Sequence, residues 1–260
     1  MKLKINHLLI LILVVFVFFG FQKFTKKEKW IPLFNGKDLN DWVIKIKGHA
    51  LGDNYKNTFR VVNGTLQVNY DNYNEFNDSF GHIFYKTPFS NYKIRMDYRF
   101  TGKQAKGGQA WAERNSGVML HCQDPATMGL NQSFPVSIEM QLLGGLNNGD
   151  RPTGNVCTPG THIYLKGEKE ITHCINSSSP TYNGDQWVHV EIEVRNDSIV
   201  KHFINGEEVL RYTKLEIGGE VDHDMDKWKE KEGSPLKSGY ISLQSESHPI
   251  EFKNIELLEL

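Results

Sequence analysis

The segment Ser137 to Gly145, SIEMQLLGG, decides how the chain is read, together with Asn115 to Gln123, NSGVMLHCQ. In the first, Ile138, Met140 and Leu142 alternate with Glu139 and Gln141. The twofold period of a strand sends these sets to opposite faces. The second repeats the plan, with Val118 and Leu120 on one face and Met119 and His121 on the other. One face of each strand is then core and the other polar. If the two strands share a sheet, Glu139, Gln141 and His121 project into one cleft.

Working outward, the chain is strand after strand. FRVVNGTLQV and IVKHFINGEEVLRY are hairpin signals about Asn63-Gly64 and Asn205-Gly206, since both central residues of such a turn take positive φ. Tyr92, Ile94, Met96, Tyr98 and Phe100 alternate with Lys93, Arg95, Asp97 and Arg99, and Val188, Val190, Ile192 and Val194 with His189, Glu191, Glu193 and Arg195. In GYISLQSES, Ile241 and Leu243 oppose Ser242, Gln244 and Glu246. WIPLFNGKDLNDW reads as two strands, Trp30 to Phe34 and Leu39 to Val43, about a turn, with Trp42 on the core. Gly144 to Gly160 is turn chemistry and reads as a long surface loop that walls the cleft. Lys214 to Lys237 is a charged excursion. No long amphipathic helix and no internal repeat interrupt this pattern. The fold class is therefore all-β, a two-sheet antiparallel sandwich.

The 260 residues carry 30 basic and 31 acidic side chains, a formal net charge of -1. With no basic patch there is no basis for a nucleic-acid partner. Lys2 and Lys4 precede the apolar run Leu8 to Phe19, and Lys23 to Lys29 is charged. This is the layout of a secretory signal. The run is shorter than the ~20 residues of a spanning helix, and no small-residue cleavage site follows it. Residues 1–21 thus fit either a cleaved signal peptide or an N-terminal anchor that holds the chain to a membrane through residues 8–21, with Met1 cytoplasmic. Residues 22–29 form a charged linker and residues 30–260 one domain. The expected location is outside the cytoplasm, periplasmic or associated with the cell envelope. In an oxidising compartment Cys157 and Cys174, which flank a hairpin THIYL/EITHC turned at Lys166-Gly167, are candidates for a disulfide. Cys122 is left as a buried free thiol.

WIPLFNGKDLNDW, RNSGVML, SIEMQLLG, INGEEV and GYISLQSESHPIEFKNIELLEL occur in this order between Trp30 and Leu260. They resemble the 3-keto-disaccharide hydrolase family. The resemblance implies a concanavalin A-like lectin/glucanase jelly roll and a glycoside substrate already oxidised to a ketone at carbon 3. Retaining glucanases need two carboxyl groups ~5–5.5 Å apart, and from Glu139 the strand reads Glu, Met, Gln, Leu, Leu with no second acid. A 3-ketone removes that need, because it acidifies carbon 2 and allows the aglycone to be eliminated through an enolate before water adds. One general base and donors on the enolate oxygen suffice.

On this reading Glu139 is the base or a metal ligand, Arg114 and Gln141 hold the keto oxygen, and His121 is a second acid/base or ligand. Asn115, Gln244, Glu246 and His162 contact the sugar. No cofactor is required by the sequence. No HExxH, CxxC or EF-hand motif is present, the run Asp222, His223, Asp224 and Asp226 reads as solvated, and a divalent ion such as calcium rests on fold analogy alone. The expected partners are an oligosaccharide or glycoside substrate and a sugar 3-dehydrogenase that makes the ketone. The alternative is a lectin-like carbohydrate-binding module without turnover.

Overall fold

The computed structural model describes residues 28–260, so the signal or anchor at 1–21 and most of the charged linker lie outside the described residues. Seventeen strands follow in chain order: β1 Ile31–Pro32, β2 Trp42–Ile46, β3 Phe59–Val62, β4 Thr65–Val68, β5 Gly81–Tyr85 and β6 Asn91–Phe100. Next come β7 Asn115–Cys122, β8 Ile138–Leu143, β9 Asn155–Cys157, β10 Thr161–Leu165, β11 Glu168–Glu170 and β12 Cys174–Ile175. The last are β13 Val188–Arg195, β14 Ile199–Ile204, β15 Glu207–Ile217, β16 Tyr240–Ser245 and β17 Ile250–Glu259, with one short helix, α1 Met225–Lys229, in the charged excursion.

These strands form two antiparallel sheets packed as a jelly-roll sandwich. The ten-stranded sheet runs β11-β10-β15-β14-β13-β6-β17-β4-β3, with β1 also paired to β17. The seven-stranded sheet runs β12-β9-β8-β7-β16-β5-β2. The core is the interleaved apolar half of each strand: Ile138, Met140, Leu142, Val118 and Leu120 meet Ile94, Met96, Tyr98 and the β13 valines, all buried. A fully buried side chain of this kind contributes about 1.5–3 kcal/mol, so these positions fix the register of every central strand.

Both Asn-Gly hairpins form, with Asn63 and Gly64 at φ 50° and 77° and Asn205 and Gly206 at 49° and 87°. Three expectations are corrected. Trp30 to Val43 is not a hairpin, because β1 joins the ten-stranded sheet and β2 the other. The chain crosses between layers there, and Trp42 closes the corner by donating its indole N–H to the Leu33 carbonyl, 3.1 Å. The hairpin at Lys166-Gly167 joins β10 to β11, ending at Glu170, while Cys174 lies on β12 in the opposite sheet. The segment 144–160 is not all loop, because β9 adds a buried strand beside β8.

Cys157 and Cys174 are directly opposite one another in the β9/β12 ladder and are disulfide-bonded. The bridge closes a sequence separation of 17 residues. Loop closure on that scale restricts the unfolded chain by about 3 kcal/mol. The double variant Cys157→Ala/Cys174→Ala is accordingly expected to lose about 3 kcal/mol in urea unfolding; an unchanged midpoint would show that β12 is held without the bridge.

Candidate active site

The face of the seven-stranded sheet turned away from the sandwich core carries the polar half of each strand. On β8 it presents Glu139, Gln141 and Leu143, on β7 Asn115, Gly117 and Met119, and on β16 Ser242 and Gln244, with Glu246 just beyond. Loops cover this face, so all eight residues of β7 are buried. What remains open is a cleft of about 600 Å³, whose lining includes Glu139, Gln141, Glu246, Asn115, Arg151 and Trp111.

Gly117 organises the cleft. It is the cross-strand partner of Gln141, two residues from the Met119 partner of Glu139. A Cβ at Gly117 would lie 2.5 Å from Glu139 Oε1 and 2.8 Å from its Cδ. The Glu139 side chain therefore lies across the bare backbone of β7, towards β16. There it meets the field of Glu246. The two carboxyls, 7% and 3% exposed, line one cleft with no cation salt-bridged to either among the described residues. Burial pushes Glu139 up to about 8. Burial first, and the Glu139 charge second, hold Glu246 well above the usual carboxylate range. This corrects the reading that the site lacks a second acid. The second carboxyl comes from another strand, with β7 between them.

Gln141 is oriented from its other side. Its Oε1 accepts a hydrogen bond from Asn155 Nδ2, 3.0 Å, which leaves its NH₂ group as a donor for the cleft. Arg151 stands at the same end. Its guanidinium donates to the carbonyls of Arg114, 3.0 Å, and Gly144, 2.6 Å, and no carboxylate pairs with it among the described residues. Trp111 is 51% exposed at the rim and stacks on Phe80 with ring centroids 5.9 Å apart. An exposed indole beside polar groups is a platform on which a sugar ring can lie.

Three predicted site residues, His121, Arg114 and His162, stand elsewhere. Cys122 pairs with Tyr240 and Met119 with Ser242, so β7 carries one extra residue against β16. This bulge falls at His121, φ 50°, and inverts the alternation beyond it. His121 consequently enters the sandwich, edge-on to Tyr92 at 6.0 Å, with Nε2 3.2 Å from the Asn196 carbonyl oxygen. Cys122 takes the outer face with Met119 and Phe84, and its thiol is pushed up to about 12 by burial. Arg114, φ 46°, turns towards Asp185 and the Gly184 carbonyl and does not line the cleft. His162 lines a neighbouring cavity, and His173 lines both.

Buried polar groups without partners lie beneath this face, among them His82 and His248, which sequence reasoning missed. Neither nitrogen of His82 or His248, and neither amide atom of Gln244, has a protein partner; Asn115 Oδ1 and Glu246 Oε2 are likewise unsatisfied. Unpartnered buried polar atoms cost ~1–3 kcal/mol each; of these residues Asn115 and Glu246 line the cleft, and His82, Gln244 and His248 do not. His82 is lowered to about 3 by burial and by Lys45, and His248 to about 4 by burial and then Arg114, so both are neutral. Lys45 itself donates to the carbonyls of Ile46, His49 and Leu130 at 3.0, 3.0 and 2.9 Å. It thereby ties the loop that carries Phe134 down onto the sheet.

Among the described residues no three His, Cys, Asp or Glu side chains are grouped to hold a metal ion. Asp222 of the excursion accepts the Ser133 N–H at 2.6 Å, and His223 faces Asp224 at 3.4 Å.

The profile of the 3-keto-alpha-glucoside-1,2-lyase-like domain matches residues 29–258. A candidate glycosyl hydrolase from Parabacteroides distasonis ATCC 8503 has a TM-score of 0.52 at 19% identity, covering 89% of this chain and 100% of its own. A second from that organism scores 0.50 at 20% identity, covering 89% and 94%. The β-glucanase of Bacillus licheniformis scores 0.48 at 11% identity, covering 91% and 99%. Likeness at these identities is one of fold, the concanavalin A-like jelly roll. No curated protein matches the sequence.

Two predictions follow from the geometry around Gly117. Its φ lies outside the left-handed region, so Gly117→Ala leaves the backbone unstrained and displaces mainly the Glu139 carboxyl. Turnover should fall about 100-fold, the effect of a misplacement near 1 Å, while the free energy of unfolding falls by about 1–3 kcal/mol and the protein stays folded; retained turnover would remove Glu139 from the chemistry. The raised carboxyls also set the pH dependence of stability. Between the ordinary 4.5 and the folded value of about 8 for Glu139, the folded state binds more protons than the unfolded, so stability falls as pH rises. Glu246→Gln removes a carboxyl that burial keeps neutral in the folded state but that ionises in the unfolded chain, and should raise the melting temperature at pH 8 by roughly 5 °C, with the gain shrinking towards pH 4.5; a gain independent of pH would contradict the raised carboxyl.

Proposed function

The chain belongs to the 3-keto-alpha-glucoside-1,2-lyase-like family, and on that premise we propose that it is an exported enzyme that hydrolyses 3-keto-glycosides, 3-keto-disaccharides among them, by elimination followed by hydration. The observation that carries this reading is the pair of buried carboxyls, Glu139 and Glu246, set in one cleft with the donors Gln141 and Arg151. Family membership supports carbohydrate-active chemistry of the glycosidase type, and the residues supply its parts.

Ionised Glu139 removes the proton from carbon 2. The electron pair moves towards the ketone, and the resulting enolate oxygen is met by the Gln141 NH₂ group and the Arg151 guanidinium. Fixed donors of this kind, in a site shielded from water, stabilise developing charge without reorganising. The enolate then collapses to a carbon 1–carbon 2 double bond and expels the aglycone, whose oxygen takes the proton of neutral Glu246. Water adds in the reverse sense. Its oxygen bonds to carbon 1 while Glu246 recovers a proton, and Glu139 returns one to carbon 2. One water is consumed, and free 3-keto sugar and aglycone are released. Burial raises both carboxyls, and the Glu139 charge adds to the rise at Glu246, which suits Glu246 to the neutral, proton-donating role. A lectin-like module has no use for two like carboxyls buried together.

The apolar start of the sequence and the Cys157–Cys174 bridge support export to the periplasm or cell envelope, either free or anchored through residues 8–21. The substrate's ketone calls for a sugar 3-dehydrogenase acting beforehand.

The test is release of free sugar from 3-keto-trehalose, with trehalose as control. Release from the keto sugar alone is expected, and Glu139→Gln should abolish it while remaining folded. Because the base must be ionised, kcat/KM should rise with pH along an acid limb centred near 8, the value of Glu139. A limb in the ordinary carboxylate range, or cleavage of trehalose itself, would contradict the proposal.

A further inference from the structure

The chain passes from one sheet to the other directly after Glu246. Strand β16 of the seven-stranded sheet ends at Ser245, and β17 of the ten-stranded sheet begins at Ile250. Connecting segments usually run over the surface, yet Glu246, Ser247 and His248 are all buried. We propose that Tyr70 and Gln104 are positioning residues for the acid Glu246: by gripping Ser247 they hold a strained corner that keeps the Glu246 carboxyl on the cleft side of the crossover. The proposal rests on the reading of Glu246 as the group that protonates the departing aglycone.

The strain lies at Ser247, φ 91°. The other non-glycine residues with positive φ, among the described residues, fall between 46° and 59°, close to the ordinary left-handed well. A serine held beyond that well persists only where its surroundings over-determine it. The place of the corner matters because it sets where the alternation of β16 ends. Ser242, Gln244 and Glu246 share one face only if the chain stays extended through Glu246 and turns immediately after it. A relaxed Ser247 would let the turn begin elsewhere and take the Glu246 carboxyl with it.

The N–H, the carbonyl and the hydroxyl oxygen of Ser247 are all engaged. The N–H donates to the Tyr70 hydroxyl oxygen, 2.8 Å, the carbonyl accepts the Ala105 N–H, 2.8 Å, and the hydroxyl oxygen accepts from Gln104 Nε2, 2.9 Å. Glycine would occupy this backbone conformation without steric cost, but it has no oxygen to offer Gln104. The side chain thus explains why a serine stands at a corner that favours glycine.

The two grips brace one another. Gln104 Nε2 also donates to the Gln109 carbonyl, 2.7 Å, which closes its own loop, and a Cβ at Gly108 of that loop would lie 2.6 Å from Ser247 Oγ. The Tyr70 ring is fixed edge-on to Tyr73 at 5.3 Å and to Phe76 at 5.7 Å. The Phe76 N–H in turn donates to the Lys106 carbonyl, 2.8 Å, so the segment that carries Tyr70 is tied to the loop that carries Gln104. Burial first, and then the charges of Tyr73 and Glu246, push the Tyr70 phenol above its ordinary value. It therefore stays neutral beside the acid.

The experiment compares methyl and 4-nitrophenyl 3-keto-glucosides on the full chain and on its Glu246→Gln, Tyr70→Phe and Gln104→Ala variants. Methoxide must be protonated as it departs, whereas 4-nitrophenolate leaves without a proton, so only the methyl substrate reads the acid. Glu246→Gln should lose about 10²–10⁴-fold in kcat/KM on the methyl substrate, the worth of a general acid, with the nitrophenyl substrate nearly unchanged. Tyr70→Phe and Gln104→Ala should show the same selectivity with a loss of about tenfold or more, the effect of a misplacement below 1 Å. Gln104 is half-buried on a loop, so its variant keeps the test standing if the buried Tyr70 change does not fold. Equal losses on the two substrates, or no loss on either, in Gln104→Ala or in folded Tyr70→Phe would overturn the positioning role and leave the cleavage reading intact. Equal losses in Glu246→Gln would overturn its role as acid and this proposal with it. Failure of the parent to cleave either substrate would overturn the cleavage reading as well.

Discussion

Two carboxyl groups are buried together across a strand that carries no side chain at the crossing point. That constraint organises the seven-stranded sheet. Gly117 must be bare because the Glu139 carboxyl occupies the volume of its Cβ. Strand β7 must lie between β8 and β16 for Glu139 and Glu246 to face one cleft. The covering loops exclude the water that would otherwise screen the two charges. Together these features keep both acids protonated beyond their ordinary range, at a standing cost to stability that a purely structural sheet would not carry.

The pair alone suits two chemistries. Direct displacement at carbon 1 also uses two carboxyls, one ionised and one neutral. What favours elimination is the family to which the chain belongs, joined to the donors arranged beside Glu139. Gln141 has its oxygen engaged by Asn155, and Arg151 is spent on carbonyls rather than on a carboxylate. On the proposed reading both would meet the negative charge that an enolate develops on a sugar oxygen.

Much of the fold was legible in the sequence, because period-two alternation and Asn-Gly turns are local signals. They located the β6, β13 and β16 faces, both hairpins, and the outward set Glu139, Gln141, Gln244 and Glu246. The cysteines whose partnership was expected are joined. What local pattern does not carry is register between strands. One extra residue in β7 moved His121 from the cleft to the core, and no alternation rule announces a bulge. The nearness of Glu246 to Glu139 depends on which strands are neighbours, so the second acid was sought on the wrong strand. Arg151, Trp111 and Phe134 reach the site from segments with no period at all. Their only signal was the oddity of an arginine and large aromatics within stretches otherwise rich in turn residues.

The central claim is that the proton on carbon 2 leaves during cleavage. It is tested most directly with a 3-keto-glycoside deuterated at carbon 2, following the label in the released sugar against a protein-free control. The account predicts that deuterium is lost to solvent in step with aglycone release. A released sugar that keeps its full label, together with an unchanged cleavage rate for the deuterated substrate, would contradict it, and would place the chemistry of Glu139 and Glu246 at carbon 1.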